Sequence, residues 1–576
     1  MDTRSLATFA RCALPFLIVS FSWPALSAPL PMTDTNTQEL LRQQERERQL
    51  REQLDKQPDV RTELPEADGQ DATLPINESP CFRIDNVALI GDAADRFQWA
   101  LSAANRGQDV VEGRCLGSQG INLVMRRIQN AIIAKGFVTT RIFAGPQDLT
   151  QGALTLTVVP GRIREIRYAD GSDGQTLTLL TALPARAGDI LNLRDVEQGL
   201  ENLKRVPTAE ADIQIEPTDN AGESDLTIVR KQQLPLRVSL SMDDSGSKST
   251  GKYQGAFSLS VDNPLRMNDL FYVSAGHSLF GDSNPRDGQK GTENYNVYYS
   301  IPYGYWQLSV SASQYDYHQT VPGYQSDYKY SGKSKNADAR LSRILYRDGS
   351  RKTTASVRGW MQESKNFIDD AEVEIQRRRT AGWELGLNHR EFIGSAIVDA
   401  NVSWRQGTGA FNAITAPEEE FGEGTSRPRI LNADLQYNQP FSLGPLNLRY
   451  SNQWRAQWNQ TALVPNDRFS IGNRYTVRGF DGEYTLAGER GWFVRNDLGL
   501  ALGQYNQELY VGMDYGEVDG PSTEWIIGRH LAGAVVGLRG GHGPFSYDLF
   551  TGWPVSKPDG MPVSNVTYGF NANLSF

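Results

Sequence analysis

Long hydrophobic runs are almost missing from this sequence. One short apolar stretch, CALPFLIVSF at 12–21, stands near the start, and it falls short of the roughly 20 residues a membrane-spanning helix needs. Histidine is scarce, with five scattered copies, and neither H-E-x-x-H nor G-x-S-x-G occurs. GSKSTGKY, Gly246 to Tyr253, has the glycine and lysine spacing of a phosphate-binding loop. It lacks Ser or Thr after Lys252 and joins two alternating strands rather than a strand to a helix. These gaps leave no catalytic, metal, cofactor or nucleotide constellation, so no enzyme is expected. A basic excess is also missing: 58 Lys and Arg face 68 Asp and Glu, for a net charge of −10. Nucleic acid, which needs a concentrated basic surface, is excluded as the main partner. Cysteine is limited to three residues.

What is present begins with a secretory leader over 1–28. Arg4 and Arg11 flank the apolar stretch, and PALSA offers small residues for cleavage near Ser27 or Ala28. Cys12 leaves with it, and Cys81 and Cys115 remain. An even pair in an exported chain reads most simply as one disulfide, two free buried thiols being the alternative. The bridge would close a loop of 35 residues (81 to 115 inclusive) and stabilise by about 4 kcal/mol in the chain-entropy account.

Residues 29–57 hold a helical segment whose only apolar positions beyond residue 33 are Leu40, Leu41, Leu50 and Leu54. That stripe is too thin for a core of its own, so the helix must lie in water, on a partner or in a polar cavity. A proline-containing linker follows over 58–78. Two units, 79–160 and 161–233, then share the order strand, helix, helix, strand, strand. In the first, Ile121, Val124, Ile128 and Ile132 mark a helix closed by Gly136.

From 234 to 576 the period is two. In LPLRVSLSMDD, Leu234, Leu236, Val238, Leu240 and Met242 share one face, and Arg237, Ser239, Ser241 and Asp243 the other. A polar mean hydropathy, −0.48, is compatible with a membrane barrel, because polar lumen positions mask the lipid face. At roughly 21 residues per strand and connection, about 16 strands are expected. A large soluble β-sandwich or propeller would leave those apolar faces unexplained. A connection at about 459–491 carries Val477, Arg478, Gly479 and Phe480. By alternation Asp514 in LYVGMDYGEV faces the lumen, as does Asp497 in FVRNDL. Either carboxylate can pair with Arg478; a solvated loop arginine is the plainer alternative.

PCFRIDNVALIG, GRCLGSQGIN, AKGFVTTRIF, PQDLTQGALTLTVVPGRI, YSIPYGYWQLSVSASQYDY, TVRGFDGEYTLAGERGW and LYVGMDYGEV resemble the two-partner secretion transporters, the haemolysin-activator and contact-dependent inhibition type of the outer-membrane assembly superfamily. The resemblance covers nearly the whole mature chain. It implies a plug helix at 29–57, two periplasmic POTRA domains and a 16-strand outer-membrane barrel. The Val477–Phe480 loop would fold into the lumen, with Arg478 latched to Asp514 and Asp497 as the other candidate. The implied partners are a large exoprotein with an N-terminal β-helical secretion domain (haemolysin, adhesin or inhibition toxin), outer-membrane lipid, and the barrel-assembly machinery reading Phe576. A monomer exporting unfolded cargo without ATP is implied. Gln147, Asp148 and Leu149 border a plausible strand entrance for that cargo. An insertase of other barrels, which usually resembles three or more POTRA units, and a passive porin, for which periplasmic domains have no use, are the competing readings.

Overall fold

A computed structural model describes residues 35–576 except 57, 63, 65–71, 281–288, 504, 505 and 525. The expected leader and residues 29–34 lie outside the described residues.

Sixteen long antiparallel strands close a barrel that runs from Leu236–Asp243 to Thr567–Ser575. The ring shuts where Ser239 to Asp243 pair with Ser575 to Asn571. The backbones of Val238 and Phe576 exchange N–H···O bonds of 3.0 and 2.9 Å beside that seam. Closure leaves no unpaired edge, the condition for a sheet in hydrocarbon. Alternation sorts the faces: Leu236, Leu240, Phe257, Leu509, Val511 and Met513 are exposed on the outside, while Gln254, Ser300, Arg455 and Asp514 are buried within.

The first POTRA unit folds around Ile84, Phe97, Val124, Ile128, Ile132 and Leu156. The first strand expected of this unit is two, Phe82–Ile84 and Asn86–Gly91, in separate sheets. They part at Asp85, where the amides of Asp85 and Asn86 both donate to the Gly152 carbonyl. The segment expected as its first helix winds as a tighter 3-10 helix, Ala94–Ala104. Its burial at Ala94, Phe97, Ala100 and Ala104 has a three-to-four spacing that either winding can serve. The helix Ser118–Ala134 is capped from outside itself: the Glu78 carboxylate, at the linker's end, accepts from the amides of Gly117, Gln119 and Gly120 at 2.7, 2.8 and 3.0 Å. Negative charge there satisfies donors that the first turn leaves unpaired. Cys81 and Cys115 are joined by a disulfide, with Cα atoms 5.3 Å apart.

The second unit has strands Arg162–Tyr168, Ala209–Pro217 and Glu223–Gln232, with helices Thr176–Ala182 and Leu193–Lys204 against them. Since this unit feeds the first barrel strand, the turns at 262–270, 303–306 and 347–351 lie on its side of the barrel, the side the resemblance places in the periplasm. The loop between Asn459 and Arg490 opens on the other side.

Candidate functional site

The lumen holds the N-terminal helix, Thr35–Asp55, about 32 Å long at 1.5 Å per residue. Its low apolar content suits this position, because its contacts with the wall are mainly polar. Tyr315 donates to Glu39 at 2.9 Å. Arg455 Nη1 donates to both Glu45 carboxylate oxygens at 2.8 and 2.9 Å, and Asn336 donates to Glu47 at 2.9 Å. Arg48 pairs with Asp434 at 3.3 Å and Arg51 with Asp338 at 2.5 Å. At the periplasmic end Asp55 accepts from Tyr298 and lies 3.6 Å from Arg340. Leu40 and Leu41 are buried near the other end.

Beside the helix, the loop between Asn459 and Arg490 turns inward. A short ribbon, Phe469–Ile471 with Leu486–Gly488, braces it. Val477 and Phe480 are buried in a cluster with Phe469, Ile471, Leu486, Phe493, Val518 and Leu531. That packing delivers Arg478 to the wall. Its Nε and Nη2 donate to Asp514 at 2.7 and 2.8 Å, and its backbone amide donates to the same carboxylate at 2.9 Å. Nη2 also reaches Asp497 at 2.6 Å. The two candidate partners are therefore not alternatives: one guanidinium bridges both. Side-chain exposure is 4% for Arg478, 1% for Asp514 and 13% for Asp497. Arg495, opposite Asp514 in register, donates to the carbonyls of Arg474 and Tyr475 at 3.3 and 3.1 Å. The geometry can hold a long loop in one place without covalent chemistry, since a bidentate, charge-assisted fork fixes direction as well as distance.

Glycines make the approach possible. Gly479 has φ +95°, and a β-carbon on it would sit 2.3 Å from the Trp553 carbonyl oxygen. A β-carbon on Gly533 would sit 1.7 Å from the Arg478 carbonyl oxygen. The loop lies directly on wall backbone. Gly479 belongs to the four-residue sequence motif; Gly533, 54 positions beyond it (533 minus 479), has no local signal.

A second cluster, not foreseen from the sequence, joins three parts of the chain. Arg347, from a periplasmic turn, pairs with Glu197 at 3.3 Å and Glu201 at 2.8 Å on the helix Leu193–Lys204. It also donates to the Val60 carbonyl of the linker at 2.6 Å. The same carboxylates accept the amides of Val60 and Thr62 at 3.0 and 2.8 Å. The i,i+4 spacing of Glu197 and Glu201 was the readable hint; their partners, in another domain, were not.

The residues named for cargo lie elsewhere. Gln147 donates to the Thr155 carbonyl at 2.8 Å and accepts its amide at 2.7 Å, so its side chain stands in for a neighbouring strand. Asp148 accepts from the Thr150 amide at 3.0 Å, and Leu149 packs on the core of the first unit. The outer strands of that sheet are Asn86–Gly91 and Arg141–Phe143.

The haemolysin secretion/activation protein family ShlB/FhaC/HecB matches residues 222–540, and POTRA models match 82–161 and 162–217. The chain belongs to this family. It is an outer-membrane transporter of the two-partner secretion type, with its POTRA domains in the periplasm. It is 37% identical over 556 residues to the outer membrane transporter CdiB-2 of Burkholderia pseudomallei (strain 1026b), covering 93% of each chain. It is 26% identical to the hemolysin transporter protein ShlB of Serratia marcescens, across 77% of this chain and 78% of that one. Among solved structures, CdiB from Acinetobacter baumannii superposes with a TM-score of 0.83 at 33% identity, covering 94% of this chain and 99% of that one. In this chain the lumen helix and the inward loop lie side by side within the barrel, joined where Arg42 donates to the Gly482 carbonyl at 2.6 Å.

Proposed function

We propose that this transporter takes an unfolded exoprotein from the periplasm through its two POTRA domains and passes it through the barrel as the helix Thr35–Asp55 leaves the lumen. The cargo is a large exoprotein (haemolysin, adhesin or contact-dependent inhibition toxin) with an N-terminal β-helical secretion domain. Folding of that cargo outside supplies the drive, and no ATP is consumed. Arg478, bridging Asp514 and Asp497, acts as a latch that keeps the Val477–Phe480 loop against the wall. Gln147, Asp148 and Leu149 shape the border of strand Ala153–Val159 in the cargo-receiving unit. The transporter works as a monomer, and Phe576 is the residue read by the barrel-assembly machinery.

One observation carries this reading: the lumen helix is held mainly by polar contacts with the wall, such as Glu45 with Arg455 and Arg51 with Asp338. Water can replace such contacts on both sides, so a helix held by them can leave a hydrated pore. A helix packed by a continuous apolar face could not leave as cheaply. Removing residues 35–55 is therefore expected to raise single-channel conductance in planar bilayers. In vesicles, the purified transporter and its unfolded cargo should complete translocation without nucleotide. Unchanged conductance rejects the plug, and a strict need for ATP rejects the proposed drive.

A further inference from the structure

The second POTRA unit meets the barrel through both of its helices, and the first is Thr176–Ala182. Thr178 donates to the Arg266 carbonyl at 2.8 Å, and Thr181 donates to that of Met267 at 3.0 Å. Gly304, in the next periplasmic turn, donates to the Thr181 carbonyl at 2.8 Å. Leu179 turns the other way and packs on the unit's own core with Leu183, Leu203 and Ile228. That leaves Leu177 and Leu180, one helical turn apart, on a face that touches neither; they are 49% and 53% exposed.

The direction of this face follows from the second helix. Arg205, at its end, reaches the carbonyls of Asn268 and Ser300, both at 3.2 Å. Ser300 lies two residues from Tyr298 on the same strand face, and Tyr298 donates to Asp55 inside the barrel. The second helix is thus on the lumen side. The first lies under the wall, with Leu177 and Leu180 pointing outward beyond it. The surrounding rim is apolar and exposed: Leu265 at the tip of the turn the helix touches, and Tyr303 and Trp306 at the next. Tyr303 and Trp306 pair across the end of two wall strands, at the level where amphipathic rings border a bilayer. Arg266 is also exposed and reaches back to Gln175 at 3.1 Å.

We propose that the Leu177–Leu180 face is seated in the periplasmic leaflet of the outer membrane, so that phospholipid as well as the barrel holds the second POTRA unit. The occupant is the phospholipid surface itself, because the face lies beside the turns whose exposed Leu265, Tyr303 and Trp306 form the lipid-facing rim. The two leucines enter the boundary between headgroups and acyl chains, and Arg266 meets phosphate while its stem lies along Leu265. The arrangement fixes the angle at which the periplasmic arm meets the pore.

The test uses the full chain without residues 1–28, carrying Leu180→Cys or, separately, Leu177→Cys, labelled with an environment-sensitive fluorophore. Cys81 and Cys115 are bonded to each other and do not compete for label. Gln214→Cys, at an exposed position on strand Ala209–Pro217 of the same unit, is the aqueous control. In phosphatidylethanolamine–phosphatidylglycerol vesicles with no exoprotein, the leucine-site labels are expected to shift to the blue. Lipids spin-labelled near the headgroup should quench them, and they should lose most of the iodide quenching that persists at position 214. Equal iodide quenching at all three positions overturns the proposal. Shielding that appears only when unfolded exoprotein is added also overturns it, and would give the face to cargo.

Discussion

The bridge from Arg478 to two carboxylates makes an asymmetric prediction. Arg478→Ala leaves Asp514, 1% exposed, without its guanidinium partner, and leaves Asp497, 13% exposed, with only Arg539 at 3.4 Å. Asp514→Ala leaves Arg478 with Asp497 still at 2.6 Å. Removing one partner of a water-poor pair costs about 3–5 kcal/mol, so Arg478→Ala belongs at the top of that range and Asp514→Ala below it. The two side-chain bonds between Arg478 and Asp514, at 2.7 and 2.8 Å, are charge-assisted and contribute about 1.5–3 kcal/mol each. A double-mutant cycle over Arg478→Ala and Asp514→Ala should return a coupling of about 3 kcal/mol or more. Chemical unfolding in lipid vesicles, followed by tryptophan fluorescence, measures it. Arg478→Lys should recover only part of the loss, because a compact ammonium lacks the planar fork that reaches both carboxylates from fixed directions. A coupling below about 1 kcal/mol would mean that the pair is wet and behaves as a surface ion pair. Equal single-variant costs would mean that Asp497 plays no part. Either result refutes the reasoning. In secretion assays Arg478→Ala should give a folded barrel at normal abundance with sharply reduced export.

Two further outcomes are expected. Gly533→Ala should displace the inward loop, since its β-carbon would fall 1.7 Å from the Arg478 carbonyl oxygen, whereas Gly359→Ala meets nothing within 4 Å; limited proteolysis of the loop should distinguish them, and equal resistance would count against backbone contact. In the first POTRA unit, burial pushes the Asp109 carboxyl up, but the Leu74 amide at 2.9 Å and the Arg127 guanidinium at 2.5 Å outweigh it and hold it below the ordinary aspartate value. The folded value is the lower one, so this stabilisation is full above the unfolded value of about 3.9 and is lost as pH falls through the folded value. Hydrogen exchange at the Leu74 amide should show protection that fades only in acid, and Asp109→Asn should start weaker and respond less to pH.

The barrel was readable because its rule is local. A residue and its second neighbour share a face, so Leu509, Val511 and Met513 could be placed outside and Asp514 inside without knowing any partner strand. Elimination took the N-terminal helix out of lipid and out of a core of its own, since Glu39, Arg42, Glu45 and Arg48 leave too little apolar surface; water, a partner and a polar cavity stayed open, and only the family resemblance put it in the lumen. Other features depend on partners far away in the chain. Nothing near Arg347 announces Glu201, 146 residues before it. Nor does Gly533 show locally that the backbone of another loop will lie against it. The bridge of Arg478 to both carboxylates was half visible: alternation put Asp497 and Asp514 on the lumen face, but not at a distance one guanidinium could span. The winding of Ala94–Ala104 could not be read, because its apolar spacing suits a tight or an ordinary helix.

The lumen helix also constrains the order of assembly. Arg42 donates to the Gly482 carbonyl, 440 residues along the chain, and the contacts of Glu45 and Glu47 with the wall span 410 and 289. Contacts of such separation wait for everything between them. The stretch that leaves the ribosome among the earliest therefore has nowhere to dock until strands near the far end of the chain have been laid down. Through synthesis, export and crossing of the periplasm it must travel without its berth. The linker behind it thus serves first as a tether during biogenesis, and the stopper is fitted after the bottle is made.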